Sequence, residues 1–525
     1  MLVPINNVAQ FGIVADVLPH ELPLNAWSAG QNIRFKDNYA EKFSGHQAAF
    51  GTPSVAPYWL LPVATPTNYF WLYAGLAKVY SVVGVTHTDI TRTVGGDYAA
   101  TADLNWTGQV LNGVPIINNG VDVPQMWLPA QAGTPLANLT NWPAGVTCRA
   151  LRAFKTFLLA LDVTEAGTRY PTVLRWSHPA DPGAVPTTWD YTDTTADAGR
   201  VPIAQTGDFL IDSVPLRDNN VLYKENTTVG MQFLPGNSDI FRFFTMFNTF
   251  GAISRRCIVE AFFGSHLVFT GDDLVKHDGQ VANSVLDSRM RKWLQNQLDA
   301  TNYGRSFVTV NYPKYEVWLC FVVTGQSFPT QAIVWNWKSN TIGVRDLDLT
   351  AHIEPGIITN AGTSDVWDND ADPWDIDSTV WDSRNYKPNL REMLKARPST
   401  AGLFQMDSTE QFAGTDMTSY LERTGIGIPF REKDPPDFGV RKFMKAVWPR
   451  IEGTDGGVVQ VYIGVQEVID GPVTYQAPQD YTIGTTKKID CRISGRLFAL
   501  KFRSTTNISW RLHGYDMDVN FMGRH

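Results

Sequence analysis

The chain has 525 residues, too many for one hydrophobic core, so its length predicts two to four domains or one large repeat architecture. Aromatic residues make up 12% (17 Trp, 18 Tyr, 28 Phe) and charged residues only 18%, which points to a rigid protein with much surface committed to contacts. A formal charge of −8 argues against a protein built to grip nucleic-acid phosphates, and four dispersed cysteines with no CxxC or Cys/His cluster argue against a zinc site or a disulfide framework.

The opening residues, MLVPINNVAQF, lack a cationic stretch followed by an apolar run, so no secretory signal is expected. Residues 51–77 carry no charge, but Pro53, Pro57, Pro62 and Pro66 would break a membrane-spanning helix there. The expectation is a soluble protein made in a cytoplasm, with no membrane span.

Most apolar runs are then five to eight residues long, rich in Val, Ile, Phe, Tyr and Trp, alternating with polar residues and ending at Gly, Asn, Asp or Pro. Examples are YFWLYAGLAKVYSVV (69–83), QVLNGVPIINNG (109–120), FKTFLLALDV (154–163), HLVFTGDDLVKHDG (266–279), YEVWLCFVV (315–323) and AIVWNWKSNTIGVRDL (332–347). They recur every forty to sixty residues or so and share one grammar: strand, Gly- or Asn-bearing turn, second strand. The pattern predicts a mainly β fold with few helices, in which residues 51–430 form a β-propeller-like body preceded by an N-terminal strand or arm, 1–50, that joins a smaller platform. Residues 93–148 contain no Lys or Arg and several Trp and Pro, which fits either a subunit interface or the propeller core.

One helix is predicted over 284–298, SVLDSRMRKWLQNQL, where Leu286, Met290, Trp293 and Leu294 fall on one stripe and Asp287 stands four before Arg291. Next comes VWDNDADPWDIDSTVWDS, which places Trp-Asp pairs at 367, 374 and 381. With Asp365 directly before it, the acidic residues are Asp365, Asp368, Asp370, Asp372, Asp375, Asp377 and Asp382. Pro373 removes an amide proton and clashes with the preceding turn, at about 3 kcal/mol, which disfavours a helix. Asp368, Asp370 and Asp372 match the first three ligands of an EF-hand, but Pro373 replaces the turn glycine and Thr379 the terminal Glu, so no metal site is expected. The segment reads as an extended acidic loop, 365–383, held down by Trp367, Trp374 and Trp381. It is a candidate channel-facing wall, or else a solvated outer loop.

The stretch REKDPPDFGVRKF (431–443) reads as a linker, and the alternating runs after it predict an antiparallel C-terminal module, 431–525, with one covered face. Charge divides by region: residues 439–525 carry 12 Lys/Arg against 8 Asp/Glu, whereas 351–390 carry 2 against 8.

The commonest catalytic signatures, a Walker-A loop, GxGxxG, HExxH and GxSxG, are absent, so no enzyme, cofactor, catalytic residue or metal ligand is expected. Ser177, His178 and Asp181 in LRWSHPADP (174–182) lie between prolines on a loop and do not make a triad by spacing.

Several ordered segments resemble one family. They are LPHELPLNAWSAGQNIRFKDNYAEKFSGH (18–46), WTGQVLNGVPIINNGVDVPQMW (106–127), LRWSHPADP with Trp189 and ADAGR (196–200), LRDNNVLYKENTTVGMQF (216–233), IFRFFTMFNTFGAIS (240–254), FTGDDLVKHDG (269–279) and GRLFALKFRSTTNISWRLHGYDMDVNFMGR (495–524). In order and approximate spacing these are similar to the tail nozzle proteins of short-tailed bacteriophages, also called packaged-DNA stabilisation or tail tubular proteins. The resemblance implies a homohexameric ring below the portal and head-to-tail adaptor, each subunit carrying a β-propeller and a smaller β-rich platform. It implies a virion location in the tail, assembly in the bacterial host cytoplasm, and double-stranded DNA passing through the lumen without specific binding. Tail needle, plug, fibre or spike proteins are possible partners. The rival expectations are a receptor-binding or glycan-degrading tail component and a cellular carbohydrate-binding propeller.

Overall fold

The computed structural model describes residues 1–65, 69–236, 239–262, 264–358, 391–430 and 437–523. Six consecutive four-stranded antiparallel sheets occupy residues 59–89, 107–138, 146–202, 210–247, 258–284 and 307–346. A seventh is built from His352–Gly356, Glu392–Arg397 and Gly402–Met406. The first strand of each sheet touches the first strand of the next, and His352–Gly356 touches Trp59–Ala64, so the seven sheets close into a ring with their first strands innermost. This is a seven-bladed β-propeller. Its local cause is visible in blade 6, where every residue of Glu316–Phe321 is buried: a strand covered on both faces by neighbouring sheets loses the alternation of a half-exposed one.

Tight turns set the hairpin register. In blade 2, Leu111 pairs with Val114 across Asn112-Gly113, whose φ values of 48° and 88° belong to the left-handed region that this dipeptide tolerates. Blade 7 is completed from the other end of the chain. His46–Ala48 pairs antiparallel with Gly402–Met406, in the register Met406 with His46 and Phe404 with Ala48, so the N-terminal segment supplies the fourth strand.

The platform is two packed sheets. One contains Leu2–Asn6, Ile33–Lys36, Tyr39–Lys42, Arg441–Gly453, Ile489–Gly495 and Trp510–Gly523; the other contains Ala29–Gln31, Ser419–Ile426, Val458–Gln466 and Leu497–Ser504 with two short edge strands. Trp27, Phe502 and Tyr515 form an aromatic cluster in the core, with ring centroids 5.7–6.3 Å apart. Ser419–Ile426 therefore joins the platform although it precedes residue 431, and His46–Ala48 joins the propeller although it lies within 1–50.

The helix is shorter than the periodicity predicts. Ala282–Ser284 is a strand, and only Arg291–Gln297 is α-helical. Ser288 has φ 58°, which a right-handed helix cannot contain, and Leu286, Met290 and Leu294 are buried from a turn followed by two helical turns. Arg291 pairs with Asp272, not Asp287. Asp16, from the N-terminal arm, accepts the backbone N–H of Lys292 and Trp293 at 2.8 and 2.9 Å and so caps this helix.

Candidate functional site at the propeller axis

The inner strands bring charged side chains from different blades onto the axis. Arg152 of blade 3 makes a bidentate pair with Asp212 of blade 4, Nε to Oδ1 at 2.6 Å and Nη2 to Oδ2 at 2.7 Å. The carboxylate also accepts the backbone N–H of Ser213 and Arg256 at 2.9 and 3.3 Å. Burial alone would raise the Asp212 carboxyl, but Arg152 and these amides hold it below the usual range. Arg255, just before the first strand of blade 5, donates to the carbonyls of Arg149 at 2.6 Å, Asp103 at 3.1 Å and Asn105 at 3.3 Å, which belong to blade 3 and the approach to blade 2. A side chain thus bridges the bore.

A cavity lies on each side of this bar. One of about 420 Å³ is bordered by residues that precede or begin the inner strands, among them Asp103, Arg149 and Tyr303, and by Asp162 near the end of the second strand of blade 3. The other, about 290 Å³, reaches the ends of the inner strands at Pro215, Tyr312 and Pro355. Glu354 of blade 7 faces the second cavity, with about a third of its side chain exposed. Burial pushes its carboxyl up to about 7, against the opposing pull of Arg152, Arg256 and Arg391. His352 accepts the Leu60 N–H at Nδ1, 3.1 Å, and lies 3.6 Å from Glu354; burial and the two arginines keep it neutral by pushing its pKa well down.

The ten residues singled out in the acidic repeat, Asp365, Trp367, Asp368, Asp370, Asp372, Trp374, Asp375, Asp377, Trp381 and Asp382, lie outside the described residues. The chain leaves blade 7 at Ile358, after the inner strand, and returns at Arg391. That exit is on the face where the 290 Å³ cavity reaches the strand ends, and it is pinned by Trp71 Nε1 donating to the Ile357 carbonyl at 2.8 Å.

Sequence reading did not single out Arg152, Asp212, Arg255, Arg256 or Glu354. The available signals were a double arginine directly before an apolar strand, SRRCIVEAF, and a glutamate inside HIEPG. The tryptophans of 93–148 serve the core: Trp106 and Trp127 are buried between blades 1 and 2. The Ser177 hydroxyl donates to the His178 carbonyl at 2.8 Å, while His178 Nδ1 accepts the Asp197 N–H at 3.0 Å, so the two side chains form no nucleophile–base pair. All four cysteines are free and buried. Among the described residues no helix is long and apolar enough to cross a membrane, and no cluster of three or more His, Cys, Asp or Glu is placed to hold a metal.

Where the platform meets the propeller, four buried charges close on one another. Arg34 of the platform pairs with Glu316 of blade 6 at 2.5 Å and with Asp407, after the third strand of blade 7, at 2.6 Å; Asp407 also pairs with Arg345 of blade 6 at 2.5 Å. Burial would raise the Asp407 carboxyl, yet the two guanidinium groups hold it at about 2. Phe43 lies under both arginines, 4.5 and 5.1 Å from ring centroid to guanidinium carbon. Backbones approach closely here: a Cβ on Gly343 of blade 6 would stand 2.5 Å from the carbonyl of Ile33.

No family model and no curated protein matches the chain. Among solved structures, PorZ, an essential bacterial surface component of the type-IX secretion system of Porphyromonas gingivalis, is 10% identical with a TM-score of 0.35. The match covers 78% of this chain and 44% of PorZ, so the chain spans less than half of that protein's length. Apo AztD from Citrobacter koseri is 11% identical with a TM-score of 0.31, over 56% of this chain and 86% of AztD.

Proposed function

We propose that this chain is a structural virion protein: a subunit of the hexameric tail nozzle of a short-tailed bacteriophage, without catalytic activity. In this role it extends the DNA-exit channel below the portal and adaptor, retains packaged DNA, and conducts it at ejection. The observation that carries the reading is the pairing of a propeller with a smaller β-rich platform, the architecture that the ordered sequence resemblance implies.

Two features support a conduit made between subunits. Arg255 bridges the propeller bore, so a duplex has to pass outside the blades, in a lumen that several copies enclose. One end of the platform exposes Phe430, Val468 and Met522 at 61%, 67% and 58%, apolar surface suited to burial against a neighbouring copy. Phe430 packs on Phe521 with ring centroids 4.9 Å apart, beside Met522, while Arg441, paired in register with Gly523, forms an ion pair with Glu467 next to Val468. A head-to-tail contact of this kind closes into a ring only when its rotation is right.

A conduit for DNA should repel phosphates, because each one neutralised by a cation releases counterions and adds affinity. The net charge of −8 agrees with this, and the aspartates of 365–383 are the candidate lumen wall, acting over a screening length of about 8 Å at physiological salt. Native mass spectrometry and electron microscopy of the full chain test the reading: a six-membered ring that Phe430→Asp and Val468→Asp weaken is expected, and a trimer or a persistent monomer overturns it.

A further inference from the structure

The 290 Å³ axial cavity holds more hydrogen-bonding capacity than the protein uses. Among the described residues, three that border it each carry a buried side-chain atom with no hydrogen-bond partner: Gln109 (Nε2) from blade 2, Ser213 (Oγ) from blade 4 and Thr309 (Oγ1) from blade 6. Ser213 and Thr309 are 1% and 3% exposed, so bulk water does not satisfy them. Arg256 of blade 5 borders the same cavity; its side chain makes one long hydrogen bond, Nη1 to the Ala351 carbonyl at 3.4 Å, and among the described residues no carboxylate lies within ion-pair distance of it. Asp212, the nearest fixed anion, is already engaged by both ends of the Arg152 fork.

We propose that this cavity binds a small oxyanion, a carboxylate or phosphate carried on a small polar molecule or free, with Arg256 as its charge partner and Gln109, Ser213 and Thr309 as neutral partners. The site is independent of the tail-nozzle reading and stands whether or not the chain forms a ring.

The charge balance favours an anion over a cation. Arg152 and Asp212 cancel, leaving Arg256 and, behind it, Arg255, which is bonded to carbonyls and not to carboxylates. Burial lowers both of these arginines only to about 10, so they stay charged near neutral pH. Among the described residues, Glu354 is the one remaining carboxylate bordering the cavity. Burial lifts it to about 7, so near neutral pH it is only partly ionised and opposes an anion weakly. Half-buried Arg256 and Gln109 and buried Ser213 and Thr309, from blades 5, 2, 4 and 6, border one half-open volume, which suits an acceptor-rich group.

Thermal-shift and calorimetric titrations of the full chain with inorganic phosphate and with citrate, each matched in ionic strength by sodium chloride, test this. A ligand that binds only the folded protein raises Tm saturably by mass action. Saturation by phosphate identifies a phosphate-type site, saturation by citrate a carboxylate-type site, and either supports the proposal. Arg256→Gln should weaken binding at least about tenfold, the loss expected for one charge-assisted hydrogen bond. Thr309→Val, which removes an unpartnered hydroxyl at constant shape, should weaken binding severalfold and leave the unliganded Tm unchanged or higher, so it carries the test even if the arginine variant fails to fold. No saturable shift with either anion, or wild-type affinity in Thr309→Val, overturns the proposal.

Discussion

The propeller–platform junction and the propeller axis are built from the same residue types and finish differently. At the junction Arg34, Arg345, Glu316 and Asp407 form a balanced network in which each charge meets an opposite one. At the axis one pair closes, Arg152 with Asp212, while Arg255 and Arg256 lean on carbonyls and Glu354 is lifted toward neutrality by burial. A balanced buried network locks two bodies into one register, because removing any member strands another charge in low dielectric. An unbalanced one keeps capacity for something else. The contrast separates a weld from a site.

The largest effect that would break this comparison is at the weld. Arg34→Met leaves Glu316 and Asp407 short of a cation, and should cost about 3–5 kcal/mol in denaturant unfolding. Restoring neutrality with Glu316→Gln in the same chain should return part of that loss; a single variant as stable as wild type would show that the network holds nothing together.

Next comes the closure of blade 7. Lys395 is fully buried, with Nζ 3.0 Å from His46 Nε2 on the strand that completes the ring, and burial, with Arg397 and Arg345 nearby, lowers its pKa to about 7. Above about 7 the folded state sheds this proton while the unfolded chain keeps it up to its ordinary 10.5. Stability should therefore rise with pH across that window, with the cost fully present below it. Lys395→Met should flatten the slope, measured as the denaturation midpoint against pH.

Glu354 runs the other way. Its folded value of about 7 stands above the ordinary 4.5, so the stability its proton confers is present at low pH and lost as pH rises through about 7. Glu354→Gln should remove that dependence, with a smaller amplitude than at Lys395 because a third of the side chain is exposed. The smallest expected change is at the helix cap: Asp16→Ala should cost about 1 kcal/mol, and a loss several times larger would mean that the arm, not only the helix turn, depends on it.

Legibility followed range. The blade 2 hairpin could be read because Asn112-Gly113 states its own turn, and the strand segments in 69–83 or 315–323 because strand-forming residues recur between turn formers. The 284–298 stripe over-extended the helix because periodicity reports which residues face the core and is silent about Ser288 turning left-handed between them. The axial residues escaped notice for a plainer reason: Arg152, Asp212, Arg256 and Glu354 stand on four different blades, and nothing local marks a charge in an apolar strand as facing an axis.

By itself, the chain's alternation of apolar strand and turn determined that it would make stacked antiparallel sheets, since each hairpin is a contact between near neighbours and needs only local chemistry. The number of blades, the closing of the last blade by His46–Ala48 and the making of the platform from residues at both ends were decided by tertiary structure alone. Arg34 meets Glu316 and Asp407 across hundreds of residues, and such pairings gain their energy only after the ring has closed and excluded water from between them.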